Sequence, residues 1–228
     1  MRKEKIVVFT GAGISAESGL GTFRDEGGLW EKFDINEVAT PEAWKANPVM
    51  VTDFYNQRRK QCYEAAPNAA HFGLAQLEEK YSVEIITQNI DNLHERAGSS
   101  AVTHLHGEIS KVKSSGPQAE NKKYHQENWE VKIGDVCPDG YQLRPHVVWF
   151  GEAVPMLDKA TAQIEEASIV IVVGTSLNVY PAAGILEYAP DNAHFYIVDP
   201  GEVSVPQQFT VIKDTAVSGV TKVVEKLM

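Results

Sequence analysis

Short apolar runs recur along the chain and are separated by longer segments with helical periodicity. The runs at 6–9, 83–87, 102–105, 168–173, 194–198 and 209–212 predict buried strands, because they are short, rich in β-branched residues and mostly followed by small or polar residues. Strands that alternate with helices are typical of a parallel sheet covered on both faces. The pattern therefore predicts an α/β fold built on a doubly wound parallel sheet.

The intervening segments predict helices and one unusual insert. Apolar positions fall at helical spacing between residues 49 and 65, through Leu74 and Leu77, over 157–167 and from Val217 to Leu227. The stretch from 111 to 143 is instead rich in Lys, Glu, Gln and Asn and poor in aliphatic residues. It predicts a small irregular insert, part of it flexible.

Composition narrows the functional class. The 228 residues carry a net charge of −10, with 43% hydrophobic and 23% charged residues, as in an ordinary globular protein. The negative charge argues against direct nucleic-acid binding and against anionic membranes, and we see no apolar run long enough to span a membrane. Two cysteines do not make a disulfide framework, which favours a reducing compartment and a cytoplasmic location.

The first strand runs directly into Gly11-Ala12-Gly13, followed by a helix start that carries Ser15 and Glu17. Glycines at this place let a backbone approach a pyrophosphate, and the helix start offers free N–H groups to phosphates. An ordinary strand-to-helix turn is the alternative, and a bare G-x-G does not decide between them.

Two later strands also end in groups suited to chemistry. The second delivers Gln88-Asn89-Ile90-Asp91-Asn92, which predicts a ligand site at the sheet edge; an Asx-rich turn that caps the next helix is the alternative. The third delivers His106, whose unperturbed pKa near neutrality suits a general base.

Six short motifs, in order and in register, resemble those of the sirtuins, which are NAD-dependent protein lysine deacylases. They are Gly11-Ala12-Gly13-Ile14-Ser15, Thr22-Phe23-Arg24, Gln88-Asn89-Ile90-Asp91, His106-Gly107, Phe150-Gly151-Glu152 and Gly174-Thr175-Ser176-Leu177. The resemblance runs from Val7 to about Asp199. It implies a discontinuous Rossmann-type NAD-binding domain over 1–27, 76–107 and 144–228, and a small domain over 28–75 and 108–143. The small domain would combine a helical module with a degenerate zinc-ribbon-like insert.

The resemblance also implies the reaction and its residues. An acyl group leaves lysine with NAD as co-substrate, giving free lysine, nicotinamide and O-acyl-ADP-ribose. His106 and Asn89 are implied as catalytic. The residues implied to bind NAD are Gly11, Ala12, Gly13, Ser15, Glu17, Phe23, Arg24, Gln88, Asn89, Asp91, Gly174, Thr175, Ser176 and Asp199. Those implied to contact the acyl-lysine protein or peptide, which would add a strand, are Val148, Phe150, Gly151, Glu152, Leu177 and Val179.

Two departures from the common family pattern change the expectations. The insert has Lys113-Ser114-Ser115-Gly116 and Cys137-Pro138-Asp139-Gly140 in place of two C-x-x-C pairs, so we expect no zinc, which needs four ligands. Tyr55 and Arg58 stand as Tyr-x-x-Arg, the signature of the branch that removes succinyl, malonyl and glutaryl groups. The alternative is that Tyr55 packs in the interior and Arg58 is solvated.

Two other functions stay open on the residues alone. A protein ADP-ribosyltransferase could use the same scaffold, and a non-enzymatic NAD-binding module would need neither His106 nor the Asn89-Asp91 pair. The oligomeric state is open as well.

Overall fold

The structure, a computed structural model, describes residues 3–22, 33–117, 122–126, 128–175, 177, 181–203 and 209–228. The strands of this part, in chain order, are β1 (Lys5–Thr10), β2 (Ser82–Thr87), β3 (Val102–His104), β4 (Gly107–Ser114), β5 (Lys123–His125), β6 (Leu143–Val147), β7 (Ile169–Val173), β8 (His194–Val198) and β9 (Thr210–Ile212). In the described ranges no helix combines the length and the apolarity needed to cross a bilayer.

The helices, again in chain order, are α1 (Gly13–Ala16), α2 (Ile35–Val38), α3 (Pro41–Ala46), α4 (Pro48–Glu64), α5 (Ala69–Gln76), α6 (Leu93–Arg96), α7 (Leu157–Ile164) and α8 (Ala216–Leu227). Two 3-10 segments, Leu77–Glu79 and Ala182–Tyr188, complete the helical part. The first helix is a single turn of four residues that ends at Ala16.

Six strands form a parallel sheet in the order β3-β2-β1-β7-β8-β9. Each of the six apolar runs in the sequence forms one of these strands. β1 is flanked by β2 on one side and by β7 on the other, so the strand order reverses there. In open α/β sheets ligands bind at this switch point, beyond the carboxyl ends of the strands.

The sheet separates two hydrophobic clusters. Ile6 and Val8 of β1 point to the cluster that includes α5 and α8, and Val7 and Phe9 point to the cluster that includes α7. All four side chains are fully buried. This two-sided burial explains why the strands are continuous apolar runs rather than alternating patterns.

Most of the described residues of 111–143 are irregular, as expected, but the insert also contributes to a second sheet. β4 continues to Ser114 and pairs antiparallel with β5 and β6 in a second, three-stranded sheet. Helix α4 contacts the segment between β5 and β6. Asn56 exchanges two hydrogen bonds with the backbone of Val131, at 2.8 and 2.9 Å, and Arg59 donates to the carbonyl of Trp129 at 2.9 Å. Polar contacts with a distant helix therefore help to hold the insert, together with its few buried apolar residues, Val112, Val131 and Cys137.

Candidate active site

A cavity of about 720 Å³ opens at the carboxyl ends of β1, β7 and β8 and reaches the helical module. The described candidates for NAD binding and catalysis that line it are Ala12, Gly13, Glu17, Gln88, Asn89, His106, Gly174, Thr175 and Asp199. The candidates for substrate binding that line it are Tyr55, Arg58, Val148, Phe150, Gly151 and Glu152. Segments far apart in sequence thus meet in one cavity.

Some candidates lie elsewhere. Ser15 and Asp91 line a smaller hollow beside the cavity, together with Asn89 and Arg58. Leu177 packs against the hydrophobic cluster beside α7 rather than lining the cavity. Four further candidates fall outside the described residues; they are Phe23, Arg24, Ser176 and Val179.

The glycines after β1 are required by a close approach of two loops. A Cβ on Gly11 or Gly13 would lie 2.6–2.7 Å from atoms of Gly174 or Thr175. Gly174 has a positive φ of 61°, and the N–H groups of Gly11 and Gly13 donate to the carbonyls of Val173 and Gly174. The sequence interpretation assigned these glycines to phosphate contact, whereas their first role in the fold is to let the β1 and β7 loops interlock.

The end of β2 is held rigidly against the β1 loop. Asn89 donates through its side-chain amide to the carbonyl of Gly11 at 3.0 Å and to the hydroxyl of Ser15 at 3.2 Å. Its own N–H donates to Thr87 Oγ1 at 3.0 Å. Gln88 Nε2, in contrast, is buried and has no hydrogen-bond partner within the described residues, although Gln88 lines the cavity. A buried donor without a partner costs free energy unless a ligand satisfies it.

Asp91 lies in the interior behind this loop. Ser15 Oγ donates to one carboxylate oxygen and the N–H of Leu93 donates to the other, both at 3.1 Å. Burial raises the pKa of Asp91, and the two hydrogen bonds oppose that shift. Asp91 thereby forms a turn just before α6 of the kind that the sequence left as the alternative to a ligand site, while Asn92 at the N-cap makes no side-chain cap bond. Asp91 also lines the smaller hollow.

His106 combines burial with a defined tautomer. Its Nδ1 lies 3.0 Å from the carbonyl oxygen of Gln88, which only accepts hydrogen bonds, so Nδ1 carries the proton and neutral His106 keeps a lone pair on Nε2. Burial lowers the pKa of His106, and the bond to Gln88 opposes the shift. The imidazole therefore favours the neutral form that a general base needs.

His104 was not recognised in the sequence as part of the site. Its Nδ1 donates to the carbonyl of Asn89 and its Nε2 to Glu95, both at 2.8 Å. The hydrogen bond and charge of Glu95 raise the pKa of His104 against its burial. The available signal was the His-x-His spacing, because residues two apart in an extended segment share a face.

Tyr55 and Arg58 lie on the cavity-facing side of α4 and are almost fully buried, with exposures of 4% and 6%. Arg58 Nη1 donates to Gln61 at 3.1 Å, and Tyr55 Oη accepts from the indole N–H of Trp149 at 3.1 Å. The alternative of a solvated Arg58 is excluded by this burial.

The segment after β6 is a turn rather than a strand edge. The N–H of Phe150 donates to the carbonyl of Ala39, and that of Val148 donates to the carbonyl of His106. Glu152 forms two hydrogen bonds with Arg144, at 2.9 and 3.0 Å. Glu152, expected to contact substrate, is thus engaged in an internal ion pair although it lines the cavity.

Two carboxylates lie at the other end of the cavity. Glu17 accepts from the hydroxyl of Thr215 and the N–H of Val217, at 3.1 and 2.8 Å, so it caps α8 rather than standing free for phosphates. Asp199 follows β8, and its Oδ1 accepts from the N–H of Gly201 at 2.8 Å.

The insert does not fit a zinc ion. Within the residues that the structure describes, no group of three His, Cys, Asp or Glu side chains could hold a metal. Cys137 is buried, and its Sγ lies 3.5 Å from Ser114 Oγ. A hydroxyl and one thiol are not the four-ligand set of a structural zinc site.

Comparison with known proteins gives a consistent result. A family model described as "SIR2: Sir2 family" matches residues 11–181. NAD-dependent protein deacylases of Bacteroides thetaiotaomicron and Helicobacter pylori are 50% and 49% identical, covering 99% of this chain and 98% of each relative. A solved Sir2 homologue in complex with NAD is 35% identical with a TM-score of 0.87, over 99% of this chain and 90% of that one.

A solved Sir2 mutant with a p53 peptide and NAD is 32% identical with a TM-score of 0.81, over 98% of this chain and 93% of that one. The sirtuin resemblance and the Rossmann-type α/β fold with a small additional domain are confirmed. The chain therefore belongs to the Sir2 family and is an enzyme.

Proposed function

We propose that the chain is an NAD-dependent protein lysine deacylase that prefers acyl groups ending in a carboxylate, such as succinyl and malonyl, and removes acetyl weakly. The observation that carries this proposal is that Tyr55 and Arg58 line the same cavity as His106 and Gln88. The names of the relatives support the general activity. The acyl preference rests on the cavity itself.

The residues present fit NAD. The unpartnered Nε2 of Gln88 is a donor suited to a ribose hydroxyl or a carboxamide oxygen. The interlocked loops of Gly13 and Gly174 bring backbone without side chains to the cavity wall. When bound, NAD supplies the electrophilic ribose carbon and the ribose hydroxyls of the reaction.

His106 is the general base in this proposal. Its Nε2 would take a proton from a ribose hydroxyl, while its Nδ1 keeps its own proton and donates it in the hydrogen bond to the carbonyl oxygen of Gln88. That hydrogen bond fixes the ring, and the lowered pKa keeps it neutral near pH 7. Asn89 contributes by holding the β2 loop against Gly11 and Ser15.

The acyl group is recognised by Arg58 and Tyr55. A guanidinium presents forked donors that match both oxygens of a carboxylate. Burial lowers the pKa of Arg58, and the charge of Asp91 is among the effects that oppose this shift; the guanidinium is thus largely withdrawn from water at the cavity wall. Acetyl-lysine offers no carboxylate. Val148 and Phe150 add apolar surface for the methylene stem of lysine.

A panel of acyl-lysine peptides with NAD tests the proposal. We expect succinyl- or malonyl-lysine to exceed acetyl-lysine in kcat/KM by roughly tenfold or more, since a hydrogen bond to a charged group is worth about 1.5–3 kcal/mol. Arg58→Met should abolish most of this advantage and spare weak deacetylation. Lys60→Met removes a half-exposed cation of the same helix outside the cavity lining and should leave the preference intact.

A wild-type preference for acetyl-lysine would contradict the acyl assignment. ADP-ribose retained on the protein substrate, in place of free lysine and O-acyl-ADP-ribose, would contradict deacylation and support the ADP-ribosyltransferase alternative.

A further inference from the structure

The hydroxyl of Tyr55 has one partner within the described residues. The indole N–H of Trp149 donates to Tyr55 Oη at 3.1 Å. An indole N–H only donates, so the oxygen must accept in this bond and the phenol proton must point elsewhere. Burial raises the pKa of Tyr55, so the phenol keeps its proton at neutral pH. Because Tyr55 lines the cavity, the proton is available to a ligand there.

Trp149 is itself held in one orientation. The guanidinium carbon of Arg144 lies 3.3 Å from the ring centroid, and Arg144 makes its two-pronged ion pair with Glu152. Glu152 also accepts from the backbone N–H of Trp149 at 2.9 Å. Trp44 packs against the indole at 5.8 Å between centroids. With 2% exposure, the indole has no room to turn its N–H away from Tyr55.

We propose that Trp149, clamped by the Arg144–Glu152 ion pair, is a specificity-determining positioning residue that commits the Tyr55 hydroxyl to donating toward the acyl group. The inference rests on the proposed function, because it concerns the same acyl cavity. Trp149 also lines the cavity, and the role inferred for it is to act through the hydroxyl of Tyr55.

The bond from Trp149 to Tyr55 affects which hydrogen-bonding groups the cavity offers to an acyl chain. A tyrosine hydroxyl with a free oxygen could accept from a neutral amide or hydroxyl, or donate to an oxygen. Here Trp149 takes one acceptor position of the oxygen and directs the phenol proton elsewhere, so Tyr55 and Arg58 together offer donors. An acyl end that only accepts, as a carboxylate does, satisfies this arrangement. A terminal amide fits this end of the cavity less well, because its NH2 group is a donor that would face the donors of Tyr55 and Arg58.

Trp149→Phe tests the proposal, because it keeps an aromatic ring and deletes the N–H. We expect the ratio of kcat/KM for succinyl-lysine to that for acetyl-lysine to fall roughly three- to tenfold, mainly through KM for the succinyl peptide. A succinamide-type acyl group, in which an amide replaces the carboxylate, should gain relative to succinyl. Trp44→Phe is the matched control, since it removes an indole from the same stack without deleting the bond to Tyr55.

A double-mutant cycle separates positioning from packing. In the Tyr55→Phe background, Trp149→Phe should change the acyl ratio no further if Trp149 acts through the hydroxyl. Arg144→Lys, which keeps the charge and loses the planar fork, should give an intermediate loss of the ratio. It serves as the second variant if Trp149→Phe folds poorly.

The outcomes distinguish the two proposals. If wild type prefers succinyl-lysine and Trp149→Phe keeps that ratio, the positioning role is overturned and the proposed function stands. Equal losses for succinyl and acetyl peptides likewise overturn the positioning role and show that Trp149 only packs. If wild type has no preference for a carboxylate, both the acyl preference and this inference are overturned.

Discussion

His104 and His106 donate their Nδ1 hydrogens to the carbonyl oxygens of two consecutive residues, Asn89 and Gln88, at 2.8 and 3.0 Å. The two imidazoles differ in their second nitrogen. Nε2 of His104 is bound by Glu95 at 2.8 Å, whereas His106 lines the cavity. His104 therefore holds the β2 loop through both ring nitrogens, and His106, two residues later, lines the cavity beside that loop.

His106→Ala should leave NAD binding largely intact and lower turnover by roughly a hundredfold or more, because general-base catalysis contributes on that order. NAD affinity by calorimetry and single-turnover rates with a succinyl-lysine peptide measure the two effects. Near-normal turnover in this variant would remove His106 from the mechanism.

The pH profile of kcat/KM should show an acid limb centred below pH 6.5. Burial lowers the pKa of His106 below the usual 6.5 of a histidine, so the neutral imidazole persists into mildly acidic solution. Steady-state rates between about pH 5 and 8 measure the limb. A limb centred above 6.5 would show that the charged form of His106 is favoured in the free enzyme.

Acid should destabilise the fold through two other histidines. His71 and His94 pack at 4.9 Å between ring centroids in the interior, and burial lowers both pKa values, that of His71 to about 4. A depressed pKa of this kind gives stability that is present above pH 6.5 and lost as pH falls toward the folded-state value. Denaturant midpoints measured from pH 7 downward should therefore fall.

His104→Gln is the control for this acid effect. The raised pKa of His104 gives stability that is complete below pH 6.5 and lost as pH rises through the folded-state value. The variant should therefore be less stable than wild type in mild acid yet keep the wild-type slope between pH 6.5 and about 5. His71→Gln should reduce that slope; an unchanged slope in this variant would contradict the assignment.

Asp199 should make the enzyme select NAD over NADP. One carboxylate oxygen accepts from Gly201, which fixes the side chain at the cavity end of β8. There it can accept from the ribose hydroxyls of NAD and would repel the extra phosphate of NADP. kcat/KM with each dinucleotide measures the preference, and Asp199→Asn should narrow it. Comparable efficiency with NADP in wild type would place the adenosine ribose elsewhere.

The protein should purify without stoichiometric zinc and keep its thermal midpoint in a chelator. The buried Cys137 faces the hydroxyl of Ser114 at the place where the family commonly has zinc cysteines. Asn56 and Arg59 hold the insert through hydrogen bonds to Val131 and Trp129, so its attachment to α4 should not depend on a metal. Elemental analysis and melting curves with and without chelator give the result; one zinc per chain would contradict it.

The strands of the parallel sheet were predictable because each is buried on both faces. A continuous apolar run is a local property of the chain, and Ile169–Val173 shows it most clearly. Strands β4 to β6 lack this signal. They form a separate sheet with one another, and Arg59 of α4 donates to the carbonyl of Ile109 in β4 at 2.7 Å. Asn56 and Arg59 also hold Val131 and Trp129, in the segment between β5 and β6. The prediction of an irregular insert accordingly missed these short strands.

The residues of the candidate site could likewise be identified from short motifs. Most of those that the structure describes line one cavity. A motif does not reveal which of its polar groups already form hydrogen bonds or ion pairs within the protein. Glu17 caps a helix through Val217, 200 positions later, and Glu152 pairs with Arg144. The bond from Trp149 to Tyr55 joins residues 94 positions apart.

The sequence by itself determined the α/β class, the parallel sheet, the family and the candidate base, because these depend on local apolar patterns and short motifs. Only the tertiary structure decided which glycines interlock, which carboxylates are occupied and which way the Tyr55 proton points. The physical reason is that a hydrogen-bonding group satisfies its capacity with whatever partner the fold brings to it, and that partner is set by the packing of distant segments rather than by neighbours in the chain.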